Sequence, residues 1–396
     1  MLSRKRRNSY MSSKTTYNII ITGGGTGGHY YPALAIADAI KERKKQLPKT
    51  IDIKCHYIGS RFGIEERKAH EYEYPYTLVP IKGFSRYRSF ESFIQNLLLP
   101  SRILRTWIIT KRLFKSLKPI ACIATGGYVS MIPGMIANKN SIPLFLQEQN
   151  AYPGITSKRL SKDANELFYA YDAVKKHIKY DIPLNKLGNP IRSSIIAIDK
   201  KKARLKMGFD QDKFTLFIFG GSQGSLSINR HIMERAASWI QKYDIQILWQ
   251  TGTHSFNMIK NEYGMHRNIK IMPFIDDMSV AYSTADLIIA RAGALSLAEI
   301  ERMRIPSILI PLPSAAGNHQ FHNAKALEEL GCAVIVEEKD FSQSPILKHF
   351  NNLINNPVKL QQMAESFPDS SVDSAVAIAD RIINKLIVLN NWSTYA

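Results

Sequence analysis

Five glycines within residues 23–28 constrain this chain more than any other stretch. They lie in IIITGGGTGGHYYP, residues 19–32, where a β-branched run ends at Thr22 and an Ala/Ile/Leu-rich helical pattern opens at Pro32. Strand, glycine loop and helix in that order let backbone N–H groups approach a phosphate, and the helix dipole favours an anion at the same spot. The loop reads as a diphosphate cradle, against the plainer reading of a tight turn with no ligand. His29 closes it, either as a general base beside a bound anion or as a helix cap.

The same residues fit Gly-x-Gly-x-x-Gly, which in dinucleotide-binding proteins is followed by an acidic residue at the end of the second strand. Here the second strand, residues 51–58, ends in Gly59-Ser60-Arg61 with no carboxylate, and no Gly-Lys-Ser/Thr follows the glycines, so NAD and P-loop readings both fail.

The 396 residues suffice for two or three domains with full cores, and the formal charge of +20 calls for an anionic partner: nucleic acid, anionic lipid or a phosphorylated substrate. Cys55, Cys122 and Cys332 are scattered and odd in number, which fits a reducing cytosol and neither a disulfide framework nor a metal cluster. The basic opening, MLSRKRRNSY, is followed by too short an apolar run for a secretion signal. Residues 1–14 read as a disordered basic extension, with Met11 as an alternative start. Residues 120–138 carry no charge, but Gly126, Gly127, Pro133 and Gly134 argue for strand, loop and buried helix there, and no transmembrane segment is expected.

Strand and helix patterns alternate through residues 18–170, pause around Gly188-Asn189-Pro190, and begin again with an apolar strand at 214–219, a glycine loop at 220–224 and a helix over 225–240. Such alternation means parallel sheets covered by helices, and the restart means two Rossmann-like α/β domains facing across a cleft. The expected divisions are 15–190, 191–370 and a tail, 371–396. In that tail Val376, Ala379, Ile383, Leu386 and Ile387 form a helical face that returns to the first domain.

Ser222 and Gln223 give the third glycine loop side-chain donors for phosphate, or merely a cap. Arg291 to Glu299 puts small residues at a helix start after a strand, where ligands of open α/β sheets bind, and sets Glu299 about a turn in, where a carboxylate suits ribose hydroxyls. The loop containing His319 and Gln320, and the Gln149-Asn150 pair, suit sugar hydroxyls. Asp210-Gln-Asp212 has the D-x-D metal pattern but precedes its strand, at the wrong end of the sheet. In residues 84–118 Phe90, Phe93, Ile94, Leu97 and Leu98 share a helical face, amid eight basic residues and one acid, Glu91, which fits an anionic bilayer surface. Ile103, Trp107 and Phe114 are expected to be buried. No helix-turn-helix, finger or RNP motif accompanies the charge, so nucleic acid is not an expected partner.

Together GGGTGGH (23–29), TGGYVS (125–130), EQN (148–150), GNPIR (188–192), GGSQG (220–224), PFIDDM (273–278), AGALSLAE (292–299) and NHQ (318–320) resemble the MurG family of peptidoglycan glycosyltransferases, in the family's order and over about residues 15–390. The resemblance implies a GT-B fold and an inverting transfer of N-acetylglucosamine from UDP-N-acetylglucosamine to lipid I. It implies a peripheral enzyme of the cytoplasmic face of the bacterial inner membrane, alongside other cell-wall synthesis and division proteins, with no required cofactor and no protein metal site. By motif, Ile275 backbone would meet uracil, Glu299 the ribose, and Gln320 the sugar. Ser222 and the helix start at Ala294, Leu295, Ser296, Leu297 and Ala298 would meet the donor diphosphate, with Arg192, Asn150, Thr26, Gly27 and Gly28 completing the cleft. Gly24, Gly25, Gly126 and Gly127 would take the acceptor diphosphate, and His29 would be the base. Met131-Ile132 and Gln147 depart from the Gly-Pro and histidine common in the family. A relative that glycosylates diacylglycerol would share the donor loops, and is the alternative.

Overall fold

The computed structural model describes residues 14–68, 73–85, 89–221, 223–343, 345–369 and 373–392. The first sheet contains β1 (Thr15–Thr22), β2 (Ile51–Ser60), β3 (Tyr76–Val79), β4 (Ala121–Ala124), β5 (Leu144–Glu148), β6 (Glu166–Tyr169) and β7 (Leu184–Lys186), in the order β3-β2-β1-β4-β5-β6-β7. The second contains β8 (Thr215–Phe219), β9 (Gln246–Gln250), β10 (Ile269–Met272), β11 (Leu287–Ala290), β12 (Ser307–Leu309) and β13 (Ala333–Ile335), in the order β10-β9-β8-β11-β12-β13. All pairings are parallel. Helices cover both faces, so central strands are apolar throughout: every residue of TLFIF in β8 and LIIA in β11 is buried. These are two Rossmann-like sheets, the GT-B architecture expected from the alternation.

Each sheet winds outward from its centre, leaving a crevice where the order reverses. Thr22 pairs with Ala124 and Phe219 with Ala290, so the first two glycine loops lie side by side at one switch point. The third loop and residues 291–294 lie side by side at the other.

Three elements differ from the sequence reading. Strand β7, LNK, is short and mixed in polarity, and no pattern announces it. The helix expected to open at Pro32 spans Gly27–Arg43, because Thr26 takes the N-cap position (φ −135°, ψ 163°) and its carbonyl accepts the His29 and Tyr30 amides. Gly27 and Gly28 are thus its first turn, a placement glycine's low helix propensity hides. The helix expected over 225–240 is two, Leu226–Met233 and Ala236–Tyr243.

The last helix, Ser374–Leu389, is capped by Asp373, whose carboxylate accepts the Ala375 amide at 2.9 Å. Its Ile378, Ile382, Ile383 and Leu386 are buried in one cluster with Ile19, Ile36 and Ile40 of the first domain. The chain therefore crosses to the second domain near Gly188 and returns to finish on the first.

Candidate active site

The His29 ring stands where the first two glycine loops meet. Its Nδ1 lies 3.0 Å from the Thr125 carbonyl and 2.8 Å from Gln149 Oε1. Gln149 is fixed in that orientation because its Nε2 donates to the Thr125 and Gln147 carbonyls at 2.8 and 3.2 Å. Both neighbours of Nδ1 are acceptors, so Nδ1 carries a proton, and in the neutral imidazole the lone pair is then on Nε2. Gln147, where the family often has histidine, is buried and donates to Asn189 Oδ1 at 3.2 Å, tying β5 to the domain crossing.

Gly126 (φ +98°) and Gly127 (φ +76°) wrap this ring. A Cβ on Gly126 would lie 2.8 Å from His29 Nδ1, and one on Gly127 2.2 Å from the Gly24 carbonyl oxygen, so neither position admits a side chain. Among the described residues their amides donate to no protein acceptor. They line, with His29 and Lys82, a cavity of about 790 Å³. The two open amides suit an anion; the Lys82 Nζ lies over the Phe62 ring at 5.9 Å, and Glu148 stands on the same wall with its carboxylate held by the Asn150 and Gly154 amides.

Gly24 and Gly25 back onto Glu65. Glu65 is fully buried, and its Oε1 accepts the Gly25 amide at 2.8 Å and the Ser60 amide at 3.1 Å. The Gly25 amide is therefore taken by a protein carboxylate, and the Glu65 side chain packs behind Gly24 as well, where a Cβ would lie 1.9 Å from Glu65 Oε1. Glu65 sits in IEERK, which reads in the sequence as an ordinary solvated helix.

A second cavity, about 260 Å³, opens between the domains. Thr26, Gly27, Gly28 and Arg192 line it from one side, and Ile275, Ala294, Leu295, Ser296 and Glu299 from the other. The helix Ala294–Met303 aims its first amides into this space, as does the Gly27–Arg43 helix. Glu299 accepts the Tyr282 hydroxyl at 2.8 Å and faces Arg192 Nη2 at 3.7 Å. Burial holds its carboxyl above the usual glutamate range, with Arg192 and Tyr282 acting in the opposite direction. The Arg192 guanidinium stacks on the Tyr31 ring at 4.6 Å, and its Nε is buried with no acceptor among the described residues, leaving a donor for an anion.

Other expected residues fall elsewhere. Leu297 is buried in the second-domain core and its amide bonds the Gly293 carbonyl, while Ala298 lines a separate cavity at the domain crossing; neither lines the 260 Å³ interdomain cavity. The Ile275 amide is taken by Gln250 Oε1 at 2.8 Å, and Gln250 Nε2 donates to Gly221 O at 3.1 Å, so that amide is not free for a base. Gln320 Oε1 accepts the Leu312 amide at 3.0 Å, shaping the loop around it and leaving its NH2 group. Asn150 lies at the seam: Asn323 Nδ2 donates to its Oδ1 at 3.2 Å, and Asn323 Oδ1 accepts the Ala151 amide across the domains at 2.8 Å. Ser222 lies outside the described residues. Asp212 pairs with Lys201 at 2.8 Å and Asp210 accepts the Asp212 amide, so the D-x-D residues form a surface turn away from both cavities.

The segment expected to face lipid has an inverted helix. In Phe90–Leu97 the polar side is held to the protein: Gln95 Nε2 donates to Gly83 O at 2.7 Å and Asn96 brackets the Ser85 backbone at 2.9 Å. Phe90, Phe93 and Leu97 are 78%, 64% and 68% exposed. Arg105, Lys111, Arg112, Lys115 and Lys118 are exposed on and just after the next helix, Leu99–Leu117, whereas Arg86 and Arg88 lie outside the described residues. Phe114 is buried and Trp107 packs on the core, but Ile103, expected inside, is exposed at the 790 Å³ cavity. No helix of the described residues is long and apolar enough to cross a membrane.

Comparison with known proteins agrees with this geometry. Residues 19–169 match the glycosyltransferase family 28 N-terminal domain and residues 215–382 its C-terminal domain. The UDP-N-acetylglucosamine--N-acetylmuramyl-(pentapeptide) pyrophosphoryl-undecaprenol N-acetylglucosamine transferase of Bacillus subtilis is 34% identical over 374 residues, 93% of this chain and 99% of the relative. The enzyme of that name from Acetivibrio thermocellus is 33% identical over 371 residues, 93% and 98% of the two chains. Among solved structures, Acinetobacter baumannii MurG superposes with a TM-score of 0.70 at 24% identity, covering 93% of this chain and all of that one, and shares the fold. Two switch-point crevices facing each other, the matched domains and relatives alike over nearly their whole length lead to one assignment: this chain belongs to glycosyltransferase family 28, and within it to the MurG family.

Proposed function

We propose that this chain transfers N-acetylglucosamine from UDP-N-acetylglucosamine to the 4-hydroxyl of the N-acetylmuramic acid of lipid I, undecaprenyl-diphosphate-N-acetylmuramyl-pentapeptide, with inversion at the anomeric carbon. The observation that carries this reading is the helix start at Gly27, Gly28 and His29. Gly27 and Gly28 line the interdomain cavity and His29 the other, so one helical turn separates donor from acceptor. UDP fits the interdomain cavity: Glu299 accepts the ribose hydroxyls, and the amides of Ala294, Leu295 and Ser296 with Arg192 receive the diphosphate. The acceptor diphosphate rests on the Gly126 and Gly127 amides and Lys82. His29 Nε2 takes the hydroxyl proton as that oxygen attacks, and UDP leaves against the helix dipole. Transfer to diacylglycerol would share the donor side, but brings no diphosphate for the open amides and Lys82. The exposed face of Phe90–Leu97 and the basic residues after it dock the enzyme on an anionic bilayer.

UDP release from UDP-N-acetylglucosamine with a lipid I analogue and not with diacylglycerol supports this assignment; turnover with diacylglycerol alone would overturn it. Gln149→Leu is expected to lower kcat about 10- to 100-fold, because the imidazole is no longer held in one orientation. Gln149→Glu is expected to move the acidic limb of the pH–rate profile to higher pH, since a carboxylate beside Nδ1 favours the imidazolium.

Glu299 makes a pH prediction for the donor. It accepts ribose hydrogen bonds best as a carboxylate, and burial raises its pKa. The KM for UDP-N-acetylglucosamine should therefore rise as pH falls through a value above the ordinary glutamate range. Glu299→Gln should raise that KM about 30-fold, equivalent to about 2 kcal/mol of charge-assisted hydrogen bonding, and abolish its pH dependence. For the membrane, Phe93→Asp combined with Leu97→Asp should weaken sedimentation with anionic vesicles at least about tenfold.

A further inference from the structure

Resting on the acceptor assignment above, we propose that the 790 Å³ cavity is a subsite for the first isoprene units of the acceptor lipid, so that part of the polyprenyl chain binds protein rather than bilayer. One continuous space holds two chemistries. His29, Lys82, Gly126, Gly127 and Glu148, whose carboxylate is held by the Asn150 and Gly154 amides, stand on its polar side, and its apolar side includes Phe84, Ile103, Trp107, Met131, Met135 and Ile155. An amphipathic ligand whose charged group adjoins a branched apolar chain satisfies both, and a polyprenyl diphosphate is such a ligand.

The rim explains why the space is open. Phe84 is 68% and Ile155 72% exposed, so large apolar side chains stand at the mouth uncovered by the described residues. Thr156, next to Ile155, donates through Oγ1 to the Gly127 carbonyl at 3.0 Å, fixing this apolar edge directly to the diphosphate loop. Ile103 belongs to the helix that follows Phe90–Leu97 after a single residue, so the cavity's apolar wall continues into the face that meets the bilayer. A chain leaving the diphosphate has an apolar path from His29 to the lipid. Methionines at 131 and 135 suit such a path, because their flexible side chains adapt to a branched ligand. A bilayer alone would require none of these residues to lie beside the catalytic histidine.

The test uses the full chain with acceptors that differ only in the lipid: methyl, two-isoprene, four-isoprene and undecaprenyl diphosphates of N-acetylmuramyl-pentapeptide, assayed without vesicles where solubility permits. Acceptor KM is expected to fall about tenfold or more from methyl to two isoprenes, then to level off. Met135→Asn with Ile155→Asp, both at exposed positions, should raise the two-isoprene KM to the methyl value while leaving the KM for UDP-N-acetylglucosamine and vesicle binding unaltered. Equal KM values for methyl and two-isoprene acceptors in the native chain would overturn the subsite and leave the acceptor assignment standing. So would a KM that falls with every added isoprene in step with vesicle partitioning. Absence of turnover with every acceptor would instead overturn the assignment itself, and the subsite with it.

Discussion

Replacing His29 with alanine is expected to lower kcat by about 10³-fold while the KM for UDP-N-acetylglucosamine stays within about threefold. The asymmetry follows from position: His29 lines the acceptor cavity, and the groups that hold UDP line the other. Steady-state UDP release with a soluble lipid I analogue measures both constants. The imidazole makes its two hydrogen-bonding contacts through Nδ1, so its loss leaves Gln149 and the Thr125 carbonyl still bonded to one another. The fold should survive, and a lowered kcat then reports chemistry. Retention of kcat within tenfold would remove the base from His29 and shift attention to Glu148, a carboxylate on the same cavity wall.

Gly127→Ala is expected to abolish acceptor turnover and to lower stability together. The new Cβ would sit 2.2 Å from the Gly24 carbonyl oxygen, a backbone atom that cannot swing aside, in a left-handed conformation that alanine resists. Strain of this kind costs about 2–4 kcal/mol, or about 5–10 °C in Tm for a domain of this size. Binding of UDP to the second domain should persist, since no group assigned to uracil or ribose touches residue 127. Gly154→Ala is the matched control: its Cβ meets nothing within 4 Å at φ −64°, so Tm should hold within about 2 °C. A Gly127→Ala protein with native Tm and native turnover would show that the two loops do not meet as described.

Much of this architecture is legible in the chain because its signals are local. Runs such as TLFIF and LIIA announce buried parallel strands, glycine clusters mark the switch points, and the apolar face of Phe90–Leu97 announces a helix whose large apolar side chains are exposed. The features that escape are those made by tertiary approach. Glu65 looks solvated in IEERK and is fully buried behind the first loop. Gln250 ends an ordinary strand, and only the fold brings it to the Ile275 amide and the Gly221 carbonyl. Asn323 sits inside a helix and joins the domains through Asn150 and Ala151. Lys82 lies in a stretch rich in cations, where nothing local marks it as a residue that lines the cavity. The helix beginning at Gly27 was masked for a related reason: glycines that favour a phosphate also disguise the first turn.

The most direct measurement of the account is the structure of the product formed from lipid I and UDP-N-acetylglucosamine, read from the anomeric proton coupling and the linkage position by NMR. Attack by the 4-hydroxyl deprotonated at His29, on the face opposite UDP, yields a β-linked N-acetylglucosamine on that oxygen. An α-linked product, or attachment at any other oxygen, would contradict the single displacement and the cleft geometry on which it rests.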